Sequence, residues 1–171
     1  NVFVPFIKKE LQEETSFIAV TKSIKELEKN YKIQVNPREI NLFYLGDDFR
    51  ERIIFENDIY KVNNTDITFT KDEILAEVTN NPLAFSPNVI IRPLYQEVIL
   101  PNLCYIGGGG ELAYWLELKA YFNNVQVPFP ILLLRNSVQV ISEKQSRKLD
   151  KLNISKKDLF SNLLKPKICV P

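Results

Sequence analysis

Pro101–Trp115 reads PNLCYIGGGGELAYW, and four of the chain's five glycines, Gly107–Gly110, stand in it side by side. A short apolar run, Leu103-Cys104-Tyr105-Ile106, leads in, and a helical pattern beginning at Glu111 leads out. The order is strand, glycine turn, helix. Glycine permits positive φ and lets a ligand approach the main-chain amides. The helix start beyond it offers unpaired N–H groups and partial positive charge, which suit an anion. A tight strand-to-helix turn without a ligand is the simpler alternative, but two glycines would be enough for that. GGGGE is neither a phosphate-binding P-loop nor a GxGxxG dinucleotide fingerprint.

Outward from this stretch, Val127-Pro128-Phe129-Pro130 feeds the apolar run Ile131–Arg135, as expected of a parallel strand covered on both faces. With the glycine stretch it makes one βαβ unit. Arg135-Asn136-Ser137 falls at the carboxyl end of that strand, where open α/β sheets place ligands; an exposed loop is the alternative. On the other side, Ser86-Pro87 reads as an N-cap with proline at the first helical position. Arg92-Pro93 restarts or kinks that helix. Arg92 is a lone cation in an apolar segment, and an unpaired buried charge is expensive. It calls for a structural carboxylate, Glu97 or Glu111, or for a ligand carboxylate or phosphate. Gln96, four residues on, shares its helical face. Glu111 favours the helix dipole, which is reason enough for it, and is also a candidate base or amine anchor. Tyr105 and Tyr114 carry hydroxyls toward the same region or pack in the core, and Trp115 reads as core.

Before this part the chain has another character. Residues 6–31 read as one long helix with Phe17, Val20, Ile24, Leu27 and Tyr31 on a single stripe. Four strands follow, at Ile40–Leu45, Arg50–Glu56, Ile59–Val62 and Asp66–Thr70, joined by short turns as an antiparallel meander. Arg50 and Arg52 alternate on one strand face, and Arg38 with Glu39 reads as an ion pair. Thr70–Glu73 (TKDE) and Ser142–Gln145 (SEKQ) are capping boxes that open helices, and Ser155–Asp158 starts a last short one. Composition shifts near residues 81–85. The expected organisation is a connecting subdomain, residues 1–82, and a partial Rossmann-like core, residues 83–171. The fold class is therefore α/β: a partial Rossmann-like parallel sheet with a connecting subdomain of one long helix and an antiparallel meander.

Hydrophobic residues make up 45% of the chain, ordinary for a globular core. A net charge of +1 gives no electrostatic reason to expect nucleic acid or a membrane surface as partner. There is no histidine, which removes the usual triads, most zinc sites and the commonest general base; no metal site is visible. With no methionine, the chain does not read as beginning at its own start codon. Two cysteines, Cys104 and Cys169, make no disulfide framework, and a cytoplasmic origin fits best.

Phe85–Trp115, FSPNVIIRPLYQEVILPNLCYIGGGGELAYW, resembles the central motif of the bacillithiol biosynthesis cysteine-adding enzymes, the BshC family. Asn36–Ile53 and Phe129–Asn136 resemble further family segments. Gly109 stands where the family usually has proline, so a looser loop is expected. The resemblance implies a cytoplasmic ligase that joins cysteine to glucosaminyl-malate through an amide bond. It implies small-molecule substrates, ATP or ADP as the candidate activating cofactor, and room for a homodimer of the full-length form. Site residues implied are Arg92, Gln96, Gly107, Gly108, Gly109, Gly110, Arg135 and Asn136 around the anion, with Glu111 or Tyr105 toward the amine. Family proteins are about three times longer, so the chain reads as an internal piece. On that reading it lacks the first part of the core and the C-terminal coiled coil, and is inactive alone. A non-catalytic nucleotide- or anion-binding assembly module and a nucleotidyltransferase-like domain remain as alternatives. The last usually relies on a histidine-containing motif.

Overall fold

A computed structural model describes residues 2–155 and 157–160. The chain opens with two helices rather than one, α1 (Val4–Glu13) and α2 (Thr15–Leu27). The apolar stripe is real as far as Leu27, but Glu14 takes a left-handed conformation, φ 49°, and breaks the helix. The reason lies in Glu10. Its buried carboxylate accepts hydrogen bonds from Ser16 N at 2.9 Å and Ser16 Oγ at 2.6 Å, replacing a main-chain acceptor at the start of α2. Tyr31 lies beyond the helix and is exposed.

The meander follows as expected: β1 (Leu42–Leu45), β2 (Arg50–Glu56), β3 (Ile59–Val62) and β4 (Thr68–Phe69). The TKDE box caps α3 (Lys71–Asn80) through both reciprocal bonds. Phe85–Pro87, read from sequence as a helix start, is instead a strand, β5, paired antiparallel to β1 with Tyr44 opposite Phe85. The sheet therefore has five strands in the order β4-β3-β2-β1-β5, all antiparallel. β5 lies just past the boundary expected near residue 82 yet belongs to the preceding sheet. The compact units divide instead between Arg135 and Asn136.

Helix α4 (Arg92–Ile99) begins at Arg92-Pro93, with proline in the first turn where its missing N–H costs nothing. Then come β6 (Cys104–Gly107), α5 (Gly109–Asn124) and β7 (Ile131–Leu134). The strands pair in parallel, Cys104 opposite Ile131 through Gly107 opposite Leu134, so the βαβ unit stands as a two-stranded parallel sheet. Its one face, with Tyr105 and Leu132, packs on the core. Ile106, Ile131 and Leu133 on the other face are at least half exposed, so the expectation of cover on both faces is corrected among the described residues.

α5 packs along α2. Trp115, 1% exposed, stacks on Tyr105 with ring centroids 4.3 Å apart, and Phe122 and Phe129 complete the aromatic cluster. Glu117, buried on α5, accepts from Gln34 N at 2.8 Å and Val35 N at 3.3 Å, so it ties down the segment before β1. In the second unit α6 (Glu143–Lys151) is capped by the SEKQ box. The helix expected after Ser155 is a 3₁₀ turn, Asp158–Phe160, entered through bonds between Ser155 and Asp158. Its further course, and Cys169, lie outside the described residues.

Candidate functional site

The four glycines serve the loop in different ways, and none takes positive φ. Gly107 ends β6 and is buried; a Cβ there would meet the Tyr105 ring at 2.7 Å, so packing requires glycine. Gly108 is the N-cap of α5, and a Cβ on it would lie 3.4 Å from Arg135 Nη2. A Cβ on Gly109 or Gly110 would meet nothing within 4 Å. They form the first turn of α5, where the amides of residues 109–111 have no acceptor in the described chain. Gly109 is the first helical residue, a position that accepts proline. The proline found there in the resembling family pattern fits this geometry, and glycine adds one N–H donor.

Glu111 replaces the cap that Gly108, without a side chain, cannot make: its Oε2 accepts from Gly108 N at 2.8 Å. Its other oxygen accepts from the Tyr105 hydroxyl at 3.3 Å. The Gly108 amide chiefly, then Tyr105 and the charges of Arg135 and Arg92, holds the Glu111 carboxyl below its usual range. Desolvation first, then Tyr114 and Glu111, pushes the Tyr105 hydroxyl up. At neutral pH the pair is thus a carboxylate and a protonated phenol. A depressed carboxylate is a poor proton acceptor but a good anchor for a cation or a donor.

Arg135 follows β7. Its N–H donates to Gly107 O at 2.9 Å, prolonging the parallel pairing, and its guanidinium lies over Gly108. Arg92 opens α4. It is exposed, which corrects the expectation of a cation in an apolar segment: Pro93 and Leu94 turn inward and Arg92 outward. Neither proposed carboxylate forms an ion pair with it among the described residues. Glu97 is taken by Asn102 N at 2.9 Å and Asn102 Nδ2 at 3.1 Å. Glu111 feels Arg92 only through its charge. Gln96 Nε2 donates to Glu97 at 3.2 Å, so its amide serves the end of α4. Asn136 is exposed and opens the second unit. The structure therefore brings together Gly107–Gly110, Glu111, Tyr105 and Arg135, with Arg92 within electrostatic range.

Sequence reasoning missed Asn88. Its Oδ1 accepts from Ile90 N at 2.9 Å and Ile91 N at 3.3 Å, and its carbonyl accepts from Arg92 N at 2.8 Å. The signal was an asparagine just ahead of an Arg-Pro helix start, a turn-forming residue in the right place. Among the described residues no three His, Cys, Asp or Glu side chains cluster as metal ligands, and no helix is long and apolar enough to cross a membrane.

A βαβ unit whose parallel strands lead into an open helix N-terminus is the arrangement of Rossmann-like α/β domains. The family model for the bacillithiol biosynthesis BshC N-terminal Rossmann-like domain matches residues 1–136, and the chain belongs to that family. A Flavobacterium johnsoniae protein named "Putative cysteine ligase BshC" is 63% identical over 161 residues, 94% of this chain and 30% of that protein. A Christiangramia forsetii protein of the same name is 57% identical over 159 residues, covering 92% of this chain and 30% of the relative. One from Staphylococcus aureus strain Newman is 30% identical over 153 residues, 90% of this chain and 28% of the relative. The chain spans about 30% of the length of these curated relatives.

Proposed function

We propose that the chain is the part of a cysteine ligase of bacillithiol biosynthesis that holds an anionic group of its substrates or cofactor. The reaction is amide-bond formation between the cysteine carboxylate and the amine of glucosaminyl-malate. The observation that carries this reading is the open first turn of α5: free amides at residues 109–111, with Arg135 over Gly108. Arg92 is turned to solvent and has no ion-pair partner among the described residues. Amides and guanidinium groups of this kind fit a carboxylate or a phosphate. The Glu111 carboxylate, braced by Tyr105, orients the amine. An ATP or ADP phosphate also fits the open turn, where the residue 109–111 amides, Arg92 and Arg135 would hold it. Bound there, the nucleotide would supply activation of the carboxylate. The chain's own residues bind and orient.

The test is an NMR titration of labelled chain with malate, then ADP. Shifts concentrated at Gly107–Gly110 are expected, and Arg92→Gln should weaken malate binding about tenfold, worth ~1.4 kcal/mol. Absent shifts in a well-dispersed spectrum, or an unchanged affinity in the variant, would overturn the reading.

A solitary binding or assembly module is the competing reading, and it needs its apolar faces covered. The open Ile106, Ile131 and Leu133 face weighs against it. Sedimentation should show association that grows with concentration and falls when Leu133 becomes lysine. A monomer at every concentration would favour the module.

A further inference from the structure

We infer that Asn88 is a positioning residue for Arg92, held in place by a buried polar chain that ends at Glu10. The inference rests on the anion-site reading above. Helix α4 has only eight residues, and its own N-cap, Ile91, has no side-chain acceptor to offer. Asn88 does that work from outside the helix. Its side-chain oxygen collects the Ile90 and Ile91 amides, and its carbonyl takes the Arg92 amide at 2.8 Å. The N–H groups of Ile90, Ile91 and Arg92 thus all point back at one residue.

Asn88 is itself fixed by two bonds to Asn41: Nδ2 to Asn41 Oδ1 at 2.8 Å, and Asn88 N to Asn41 O at 3.1 Å. Asn41, 1% exposed, donates its amide to Glu10 at 3.1 Å and its Nδ2 to Ser16 Oγ and Arg38 O, both at 2.7 Å. Ser16 closes the circuit on Glu10. Residues 10, 16, 41 and 88 come from four separate stretches, so the position of Arg92 is set by the packed body of the domain. A cation held this way loses no main-chain freedom on capturing an anion, so only its side chain has to order.

A double-mutant cycle separates positioning from mere structural support. Asn88→Ala is expected to weaken malate binding by this chain about fivefold, and Asn88→Ser, which keeps a cap acceptor, about twofold. In an Arg92→Gln background Asn88→Ala should leave malate affinity unchanged, while it lowers the melting temperature equally in both backgrounds. Equal weakening in both backgrounds, or no weakening in the Arg92 background, would overturn the inference while the anion site stands. Arg92→Gln binding malate like the unmodified chain would overturn the anion-site reading and this inference with it. Should Asn88→Ala not fold, the same cycle with Asn88→Ser decides.

Discussion

Glu10→Ala is expected to destabilise the chain by about 3–5 kcal/mol, because it strips two buried main-chain donors and a buried hydroxyl of their acceptor. Those donors are the amides of Ser16 and Asn41 and the Ser16 hydroxyl, in a site where Glu10 is 1% and Ser16 0% exposed. The same variant frees the α1–α2 junction and the entry to β1, so the loss is cooperative. A pH signature accompanies it. Desolvation outweighs the Ser16 and Asn41 bonds and raises the Glu10 pKa above 4.5. The folded chain therefore binds this proton more tightly than the unfolded chain. The linked contribution is full below the unfolded value and is lost as pH rises through the folded one. The stability gap between the unmodified chain and Glu10→Ala should thus be widest in acid and narrow toward alkaline pH. Urea unfolding at a series of pH values measures it. A gap below about 1 kcal/mol, or one that widens with pH, would show that the carboxylate does not organise this junction.

Trp115→Ala should cost about 3–5 kcal/mol, the usual range for emptying a large aromatic site. The indole is 1% exposed and joins β6, α5 and the segment leading to β7 through Tyr105, Phe122 and Phe129. Its Nε1, however, is buried and, among the described residues, has only the Tyr105 hydroxyl near it, without a well-formed hydrogen bond. Trp115→Phe keeps the stacking on Tyr105 and removes this poorly satisfied donor, so about 1–2 kcal/mol is expected for it. Thermal unfolding followed by circular dichroism compares the three, since Trp115 is the only tryptophan and fluorescence would vanish with it. Equal losses in both variants would mean that the full indole volume, which a phenyl ring does not fill, holds the cluster.

Local features were legible in the sequence where one short segment contains the whole interaction. Both capping boxes close within four residues, and β1–β4 follow from alternation and turn residues. The strand–glycine–helix order around Gly107–Gly110 was legible for the same reason. The break at Glu14 was not, since a buried glutamate six residues before Ser16 provides the competing acceptor. Nor was β5, because Ser86-Pro87 has the local chemistry of a helix start and only its partner β1, some forty residues away, makes it a strand. Arg92 was expected as a cation inside an apolar segment and is exposed. The apolar residues around it face inward, and its own direction depends on how α4 begins. Asn88 escaped notice because its importance lies in Asn41 and Glu10, which no local window contains.

That no glycine in the loop takes a positive φ has an evolutionary consequence. Where glycine is demanded by backbone angle, drift is blocked by folding alone. At Gly109 and Gly110 the fold imposes no such veto, and the space around them is open. Any selection that keeps these two positions small must therefore act through what approaches them, whereas Gly107 is kept by its neighbours' packing. Within one run of four identical residues, the history of substitution should record two unrelated pressures.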